Sequence, residues 1–400
     1  MKKSPGASSQ AIYLVLATGS SQALVAFSYI LAARGSEPAA FGAVASAIAI
    51  GMALIGIVDF GANSLWVRSI ASKELSIQEV TRRSAWKAVL AALIAAIMTL
   101  SVWTLDLPPE YVSVGFIFFL TTLAQLTQVP LRAAARSDRV AMSVVISRVA
   151  GFAVLLGLTF CEVPSTTSLW VSLSVNAVVE AVMYVVLTPR GFRYRFDSLR
   201  IVNPWKDSMH FGVYSIATSL QSLDVPIVSA AAGPVAAGAY AAVNRWTQPL
   251  GLAVGGFTTA SAPFVAGASS FAHAWRAVRK ATWMLFAALA SCVVAFFLAE
   301  PLVPLLLGQD YLDAVGVFQV MALGTIPALL NQPLAVFSQM RGGDRAVGVV
   351  TAAGISIRLV SAFALSVAFG AVGGAFAFAI SQVVLLVGLS VILARMVRSE

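Results

Sequence analysis

Charged residues are scarce in this sequence. Asp, Glu, Lys and Arg make up 11% of the 400 residues, against about 25% in soluble globular domains. A soluble fold of this length needs a charged surface, so the composition excludes a soluble protein. Hydrophobic residues account for 59% of the chain, and they form long continuous runs rather than the short alternating segments typical of membrane β-barrels. The composition therefore predicts an all-α membrane protein.

Cysteine and histidine are also rare. Cys161 and Cys292 stand alone, with no CxxC motif, so we interpret both as small buried hydrophobic residues rather than as a redox pair or metal ligands. The two histidines, His210 and His273, lie at the ends of predicted helices. The sequence has no HExxH motif and no Gly-rich phosphate loop with GK[ST]. These absences predict a protein that is not an enzyme and that holds no metal.

About twelve runs are long enough to cross a bilayer, because a membrane span takes about 20 mainly apolar residues. An even number of spans places both termini on the same side of the membrane. The predicted spans are 11–33, 40–60, 86–105, 111–131, 140–160, 166–188, 209–230, 236–262, 281–300, 312–336, 346–367 and 370–394.

Lys and Arg are distributed unevenly along this series of spans. Of the 26 Lys and Arg residues, all except Arg34, Arg148, Arg245 and Arg358 lie at the termini or beside the loops that follow even-numbered spans. Basic residues collect on the cytoplasmic side of a membrane. We therefore predict a multi-pass protein of the bacterial cytoplasmic (inner) membrane with both termini in the cytoplasm. This placement accounts for the net charge of +9, and no nucleic acid partner is expected.

The chain divides into two halves of six predicted spans. The basic, polar segment 189–207 is the natural linker between an N-terminal lobe (1–207) and a C-terminal lobe (208–400). The halves match in three short places, which together predict a duplicated six-helix unit. The matches are EPAAFGA (37–43) with GPVAAGA (233–239), QVPL (128–131) with NQPL (331–334), and the Asp-Arg pairs that precede Arg148 and Arg358.

Seven ionisable residues lie inside the apolar spans or at their ends. Burying a charge in hydrocarbon is costly unless the charge faces water or a partner, so each is a candidate functional residue. We predict that the arginines line a substrate cavity and that the carboxylates bind a coupling ion or form ion pairs; a purely structural ion pair is the alternative for each. The arginines are Arg34, Arg148, Arg245 and Arg358, and the carboxylates are Asp59, Glu180 and Asp224.

Uncharged polar residues continue these positions along the helices. Tyr240, Asn244 and Gln248 follow one another at helical spacing beside Arg245, and Gln221 lies in the seventh span. Helical spacing places such residues on one side of a helix. We predict that Tyr240, Asn244, Gln248 and Gln221 belong to the same cavity, with hydrogen bonding between helices as the alternative.

Three stretches of the chain resemble bacterial polysaccharide flippases of the multidrug/oligosaccharidyl-lipid/polysaccharide (MOP) exporter superfamily. The tail GAVGGAFAFAISQ (370–382) is similar to the last span of that family. In residues 30–71 the shared features are Ala33-Arg34, Pro38, Phe41-Gly42, Asp59-Phe60-Gly61 and Arg68. In residues 221–245 they are Asp224, Gly233-Pro234, Gly238, Tyr240 and Arg245.

The resemblance implies two six-helix lobes around a central cavity that is lined largely by the first two helices of each lobe. It also implies a flippase that moves undecaprenyl-pyrophosphate-linked oligosaccharide, a repeat unit of O-antigen, capsule or exopolysaccharide, from the cytoplasmic to the outer leaflet by alternating access. Guanidinium groups grip phosphate with paired donors, so Arg148, Arg245 and Arg358 would hold the pyrophosphate. Peptidoglycan-precursor flippases of the same superfamily carry several arginines in the first span, where this chain has only Arg34.

Two other functions stay open at this point. A cation-coupled MATE-type multidrug exporter on the same scaffold would favour carboxylates and aromatic residues, and the deep arginines disfavour it. A membrane glycan polymerase or ligase would need larger loops than this sequence provides. No cofactor is expected, and the driving force is H⁺ coupling, Na⁺ coupling or the membrane potential. The expected partners are a lipid-linked oligosaccharide, membrane lipid and a polysaccharide polymerase complex.

Overall fold

A computed structural model describes residues 7–195, 201–245, 254, 282–340 and 342–398. All regular secondary structure in these ranges is helical, as the composition predicts. The α-helices are α1 (Ala7–Arg34), α2 (Pro38–Asp59), α3 (Ala62–Ala71), α4 (Ile77–Thr104), α5 (Val112–Ala133), α6 (Ser137–Phe160), α7 (Ser165–Leu187), α8 (Met209–Leu220), α9 (Asp224–Asn244), α10 (Trp283–Phe297), α11 (Ala299–Leu307), α12 (Ala314–Met340) and α13 (Asp344–Arg398).

Two of the long helices break at a glycine. Gly233 in α9 has φ 86° and Gly370 in α13 has φ 58°, a backbone conformation that glycine adopts without the steric cost of a Cβ. Pro234 follows the first break, and its fixed φ suits the first turn of a new helix. The second break returns the chain on itself, since a Cβ on Gly373 would lie 2.0 Å from the carbonyl oxygen of Leu365. Gly233 lies between two of the predicted spans, and Gly370 is the first residue of the predicted span 370–394.

The described helices are long and apolar enough for a polytopic membrane protein. Eight helical stretches could each cross a bilayer, and α10 and α11, which are bent by 82°, make a ninth if they count as one span. The stretch 345–398 is counted once although it folds back at Gly370. The multi-pass character of the chain is therefore confirmed within the described residues.

Helix α4 extends beyond the predicted span 86–105 at its N-terminal end, since it begins at Ile77. Ser76 caps the helix, because its side chain accepts a hydrogen bond of 3.2 Å from the backbone N–H of Glu79. The early start draws Lys87 into the helix interior, where it is fully buried.

Two short helices were not predicted from the sequence. Helix α3 follows directly on α2 and buries Trp66 on one face while other residues stay exposed. Helix α11 contains Glu300, which the prediction placed at the end of the ninth span. Both are too short to span a bilayer at about 1.5 Å per residue, so the apolar-run criterion does not find them.

The chain forms two compact units that differ from the predicted lobes. The first consists of Met1–Ser36 and Ala43–Pro226, and the second of Glu37–Gly42 and Ile227–Glu400. The first turn of α2 therefore belongs to the second unit. The lobes 1–207 and 208–400 were defined from the sequence repeat and not from helix packing, so they stay a prediction.

In the first unit, the predicted linker is bound to the helices rather than standing free. The Trp205 indole donates a hydrogen bond of 2.8 Å to the carbonyl oxygen of Val58, and the Tyr194 hydroxyl donates one of 2.7 Å to that of Leu126. Arg83 donates to the carbonyl oxygen of Lys206 at 3.3 Å. Burial raises the pKa of the Tyr194 phenol. These contacts fix the ends of the linker on either side of residues 196–200.

Helix α8 packs closely on the C-terminal end of α2, which is predicted to face the cytoplasm. This contact also lies within the first unit. A Cβ on Gly56 would lie 1.6 Å from Ser219 Oγ, and a Cβ on Gly61 would lie 2.4 Å from the Phe211 carbonyl carbon. The Ser215 hydroxyl donates to the carbonyl oxygen of Gly56 at 3.3 Å. Small residues allow helices to approach this closely.

In the second unit, the segments 37–42 and 233–239, which the sequence matches to each other, contact each other. A Cβ on Gly42 would lie 1.9 Å from the Pro234 carbonyl oxygen, and a Cβ on Gly238 would lie 2.0 Å from the Pro38 carbonyl oxygen. Each glycine thus packs on the proline of the other segment. Such reciprocal contacts are those of elements related by a two-fold rotation.

Candidate functional site

The first polar cluster surrounds Asp59, at the end of α2. Lys87 Nζ donates to Asp59 Oδ1 in an ion pair, and it also donates to Asn63 Oδ1 at 3.0 Å. The same ammonium lies 5.1 Å from the centre of the Trp66 ring, within range of a cation–π contact. Asp59 Oδ1 accepts a further hydrogen bond of 3.3 Å from the Asn63 backbone N–H at the start of α3. The cluster therefore joins α2, α3 and α4 at one point.

The second cluster lies among α5, α6 and α7. Glu180 Oε1 accepts a hydrogen bond of 2.5 Å from the Tyr184 hydroxyl, which in turn accepts one of 2.6 Å from Gln128 Nε2. Glu180 Oε2 lies 3.9 Å from Arg148 Nη2. The structure therefore brings together Arg148 and Glu180, to which the sequence assigned different roles.

Asn176 completes this cluster on the side of α6. With its amide oriented to satisfy both neighbours, Asn176 donates to the Ser147 carbonyl oxygen at 2.6 Å and accepts from Arg148 Nη1 at 3.2 Å. Gly151 makes room for it, since a Cβ there would lie 1.9 Å from the terminal amide of Asn176. We name the group of Gln128, Arg148, Asn176, Glu180 and Tyr184 the Arg148 network.

The third cluster lies in the second unit around Arg358, in the first arm of α13, which is the part of the helix before the break at Gly370. Arg358 Nη2 lies 3.5 Å from the Tyr240 hydroxyl, to which it donates. The guanidinium carbon lies 5.0 Å from the centre of the Phe378 ring, on the second arm of α13. Tyr240 is fully buried, and its ring packs on Gly374, where a Cβ would approach it to 3.1 Å. Arg358 therefore contacts the hydroxyl of Tyr240 and the ring of Phe378.

One contact recurs at matching positions in the two halves of the chain. Gln128 in α5 bonds to the last span of its half, and its sequence match Asn331 in α12 does the same. The amide of Asn331 donates to the backbone and side-chain oxygens of Gln382, both at 3.0 Å.

Of the remaining predicted residues, those that the structure describes lie at or near the ends of helices. Arg34 is exposed at the end of α1, and Asn244 and Arg245 are half-buried at and after the end of α9. Gln221 lies in a 3-10 turn that separates α8 from α9, and Asp224 is buried at the first position of α9. That turn interrupts the regular α-helical spacing expected along the seventh span. Gln248 lies outside the described residues.

Several residues of these clusters were not among the predicted site residues, including Lys87, Asn176 and Phe378. Lys87 was counted as a basic residue beside a cytoplasmic loop, and Asn176 and Phe378 carry no charge, so a search for buried charges does not select them. The signal for Asn176 was present in the sequence, because it lies four residues before Glu180 and helical spacing places both on one face. The roles of the predicted site residues stay predictions.

Apolar helices that enclose arginines and carboxylates define the class of this molecule as a polytopic membrane protein of the transport type. A sequence profile of the family described as "Polysaccharide biosynthesis protein" matches residues 8–269, and the chain belongs to this family. No curated protein sequence matches the chain at a significant level.

Solved structures share the fold across nearly the whole chain. A multidrug resistance MATE family transporter of the MOP superfamily, in an inward-facing conformation, is 15% identical, with a TM-score of 0.66 and coverage of 94% of each chain. The lipid II flippase MurJ, in an inward closed conformation, is 13% identical, with a TM-score of 0.71 and coverage of 96% of this chain and 87% of that one. The predicted MOP-superfamily fold is therefore confirmed.

A third structure, a eukaryotic MATE transporter named AtDTX14, is 14% identical to this chain. Its TM-score is 0.56, and the match covers 98% of this chain and 97% of that one. At this level of identity the three likenesses show the fold and leave the substrate open.

Proposed function

We propose that the chain is a flippase for an undecaprenyl-pyrophosphate-linked oligosaccharide, a repeat unit of O-antigen, capsule or exopolysaccharide. It would carry this substrate from the cytoplasmic to the outer leaflet of the bacterial inner membrane by alternating access, without catalysing a reaction. Membership of the polysaccharide biosynthesis family supports a glycan substrate, and the fold of a lipid II flippase supports a lipid-linked one.

The observation that carries this proposal is the setting of Arg358. Its guanidinium lies inside an apolar helical hairpin, between the hydroxyl of Tyr240 and the ring of Phe378. A guanidinium presents paired donors that fit phosphate oxygens, and a tyrosine hydroxyl can both donate to and accept from sugar hydroxyls. The cluster thus offers the groups that an anionic, sugar-bearing headgroup needs. A polysaccharide polymerase complex is the proposed partner that receives the translocated unit.

The proposed driving force is the membrane potential, proton coupling or sodium coupling. An inside-negative potential assists the outward movement of an anion by about 2.3 kcal/mol per charge per 100 mV. The negative charge of a pyrophosphate makes the potential effective on this substrate.

The fold of a MATE transporter favours a second candidate function, cation-coupled multidrug export. Cationic drugs are attracted by carboxylates and repelled by guanidinium groups. The cluster around Arg358 therefore favours an anionic substrate over a cationic one. Drug resistance on overexpression, without any change in surface glycan, would favour the second candidate.

We expect Arg358→Gln to lower glycan export by roughly 10- to 100-fold. A hydrogen bond to a charged group contributes about 1.5–3 kcal/mol, and each 1.4 kcal/mol lost weakens substrate binding about tenfold. Export is measured in a deletion strain that carries the variant, as surface polymer and as accumulated lipid-linked intermediates. Arg358→Lys, which keeps the charge but loses the paired donors, should show an intermediate defect.

Arg345→Gln is the matched control, since Arg345 is exposed at the start of the same helix. The control should export normally, and the amounts of folded protein should be equal in all variants. Normal export by Arg358→Gln would contradict the assignment of Arg358 to the substrate.

A further inference from the structure

The Arg148 network holds a carboxylate in an unusual way. Glu180 takes its short hydrogen bond, 2.5 Å, from the neutral hydroxyl of Tyr184, while Arg148 Nη2 stays 3.9 Å away. A charge-assisted hydrogen bond between nitrogen and a carboxylate oxygen measures about 2.7–2.9 Å. Arg148 therefore attracts Glu180 as a counter-charge without bonding to it directly.

Arg148 keeps donor capacity that the network does not use. Its Nη1 donates to Asn176, but its buried Nε has no hydrogen-bond partner among the described residues. About a quarter of the side chain is accessible, 25%, against 16% for Glu180. A guanidinium with unused donors and partial access is suited to a second, anionic partner.

Within the described residues, no other charge of the packed helices replaces Arg148 beside Glu180. Helices α1, α5 and α6 pack on α7, and their remaining charged residues lie in the first or last turns of these helices. These are Arg34, Arg132, Asp138 and Arg139. The titratable and polar groups that face Glu180 are Arg148, Tyr184 and, through Tyr184, Gln128.

We propose that Glu180 is a proton-binding site and that Arg148 exchanges between Glu180 and the anionic headgroup of the substrate. Without substrate, the carboxylate and the guanidinium balance each other. When phosphate oxygens draw Arg148 away, the carboxylate binds one proton from water at Oε2, because an uncompensated charge inside an apolar bundle is costly. The hydroxyl of Tyr184 keeps its bond to Oε1 in both states. The network has no net charge when it is empty, and it carries one positive charge, facing the bound anion, when it is loaded.

The inference rests on the proposed function for the identity of the anion, and the proton site itself does not depend on it.

Linkage fixes the sign of the expected pH dependence. Because each bound headgroup takes up one proton, binding should tighten as the pH falls, by at most about tenfold per pH unit. The probe is undecaprenyl pyrophosphate in detergent, bound to the purified protein and followed by calorimetry in buffers of different ionisation enthalpy. Wild-type protein should take up about one proton per bound probe.

Glu180→Gln imitates the protonated state and should remove the proton uptake. The variant should bind the probe at high pH as tightly as wild-type protein does at low pH, with only the pH dependence of the probe itself remaining. Glu162→Gln, at an exposed position beyond the end of α6, is the control and should behave as wild type. Proton uptake that persists in Glu180→Gln would overturn the proposal.

A second measurement separates the proton site from the substrate. Infrared difference spectra of the protein without probe, recorded between high and low pH, should contain a carboxylic-acid carbonyl band that Glu180→Gln lacks. If that band is found but wild-type protein binds no probe at any pH, the proposed function fails while the proton site stands. If the band is the same in both proteins, the proton site is wrong whatever the substrate.

Discussion

Gly42→Leu is expected to destabilise the protein by about 3 kcal/mol, the upper end of what overpacking costs. Most overpacked side chains push against other side chains, which can change rotamer. Here the Cβ would meet the carbonyl oxygen of Pro234 at 1.9 Å and the backbone nitrogen of Gly238 at 2.7 Å. Both belong to the first turn after the break in α9, so the helix itself would have to move.

The reciprocal geometry makes a sharper prediction for the double variant. Gly238→Leu alone should cost as much as Gly42→Leu, because its Cβ would lie 2.0 Å from the Pro38 carbonyl oxygen. One leucine would push the start of α2 away from the segment that begins at Pro234. The second leucine would then fit into the widened gap at little further cost. The double variant should therefore cost clearly less than the sum of the single variants, which a double-mutant cycle detects.

Thermal and denaturant unfolding of the purified proteins in detergent measures these differences. Gly157→Leu is the control, since no atom outside its own helix neighbourhood lies within 4 Å of a Cβ at that position. The control should unfold like the wild type. Additive losses in the Gly42 and Gly238 cycle would mean that the two glycines act independently and that the reciprocal contact is wrong.

Much of this fold could be predicted from the sequence, because a helix that crosses the hydrocarbon core must consist mainly of apolar residues. Long apolar runs locate the spanning helices, and glycine and proline mark the turns between them. The Gly233-Pro234 pair shows this most clearly, since the predicted turn is the place where α9 breaks. The matched segments 37–43 and 233–239 also contact each other in the structure, which the sequence match did not predict.

The partners of the buried charges could not be predicted in the same way. Hydropathy gives the depth of Arg148, Glu180 and Arg358, but the direction of each side chain depends on how its helix is rotated about its axis. Whether Arg148 faces Glu180 or a substrate is decided by the packing of α6 on α7. That packing rests on uncharged details such as the fit of Asn176 against Gly151, which carry no signal in a hydropathy profile.

Lys87 lies at the edge of a predicted span, and for this reason its pairing with Asp59 was not predicted. The predicted third span began at residue 86, and this boundary placed the lysine at the aqueous edge of the membrane. Because α4 begins at Ile77, the same lysine lies well inside the helix and points at Asp59. A charge that composition assigns to the cytoplasmic surface is in fact part of the core of the first unit.

Replacing this lysine is expected to destabilise the protein more than either glycine substitution does. Lys87→Met keeps the length of the side chain but leaves Asp59 without its cation, and removing one partner of a buried ion pair costs about 3–5 kcal/mol. Unfolding of the purified protein in detergent measures the change, and Lys73→Met, at an exposed position, should leave stability unchanged.

A double variant tests whether the stranded charge is the cause. Asp59→Asn removes the charge but keeps a side-chain oxygen that can accept from the backbone N–H of Asn63. The Lys87→Met, Asp59→Asn protein should therefore recover most of the stability that Lys87→Met loses, because a buried pair replaced on both sides is often nearly neutral. If the double variant is as unstable as Lys87→Met, the lysine acts through its packing against Trp66, and Asp59 is not the partner that requires it.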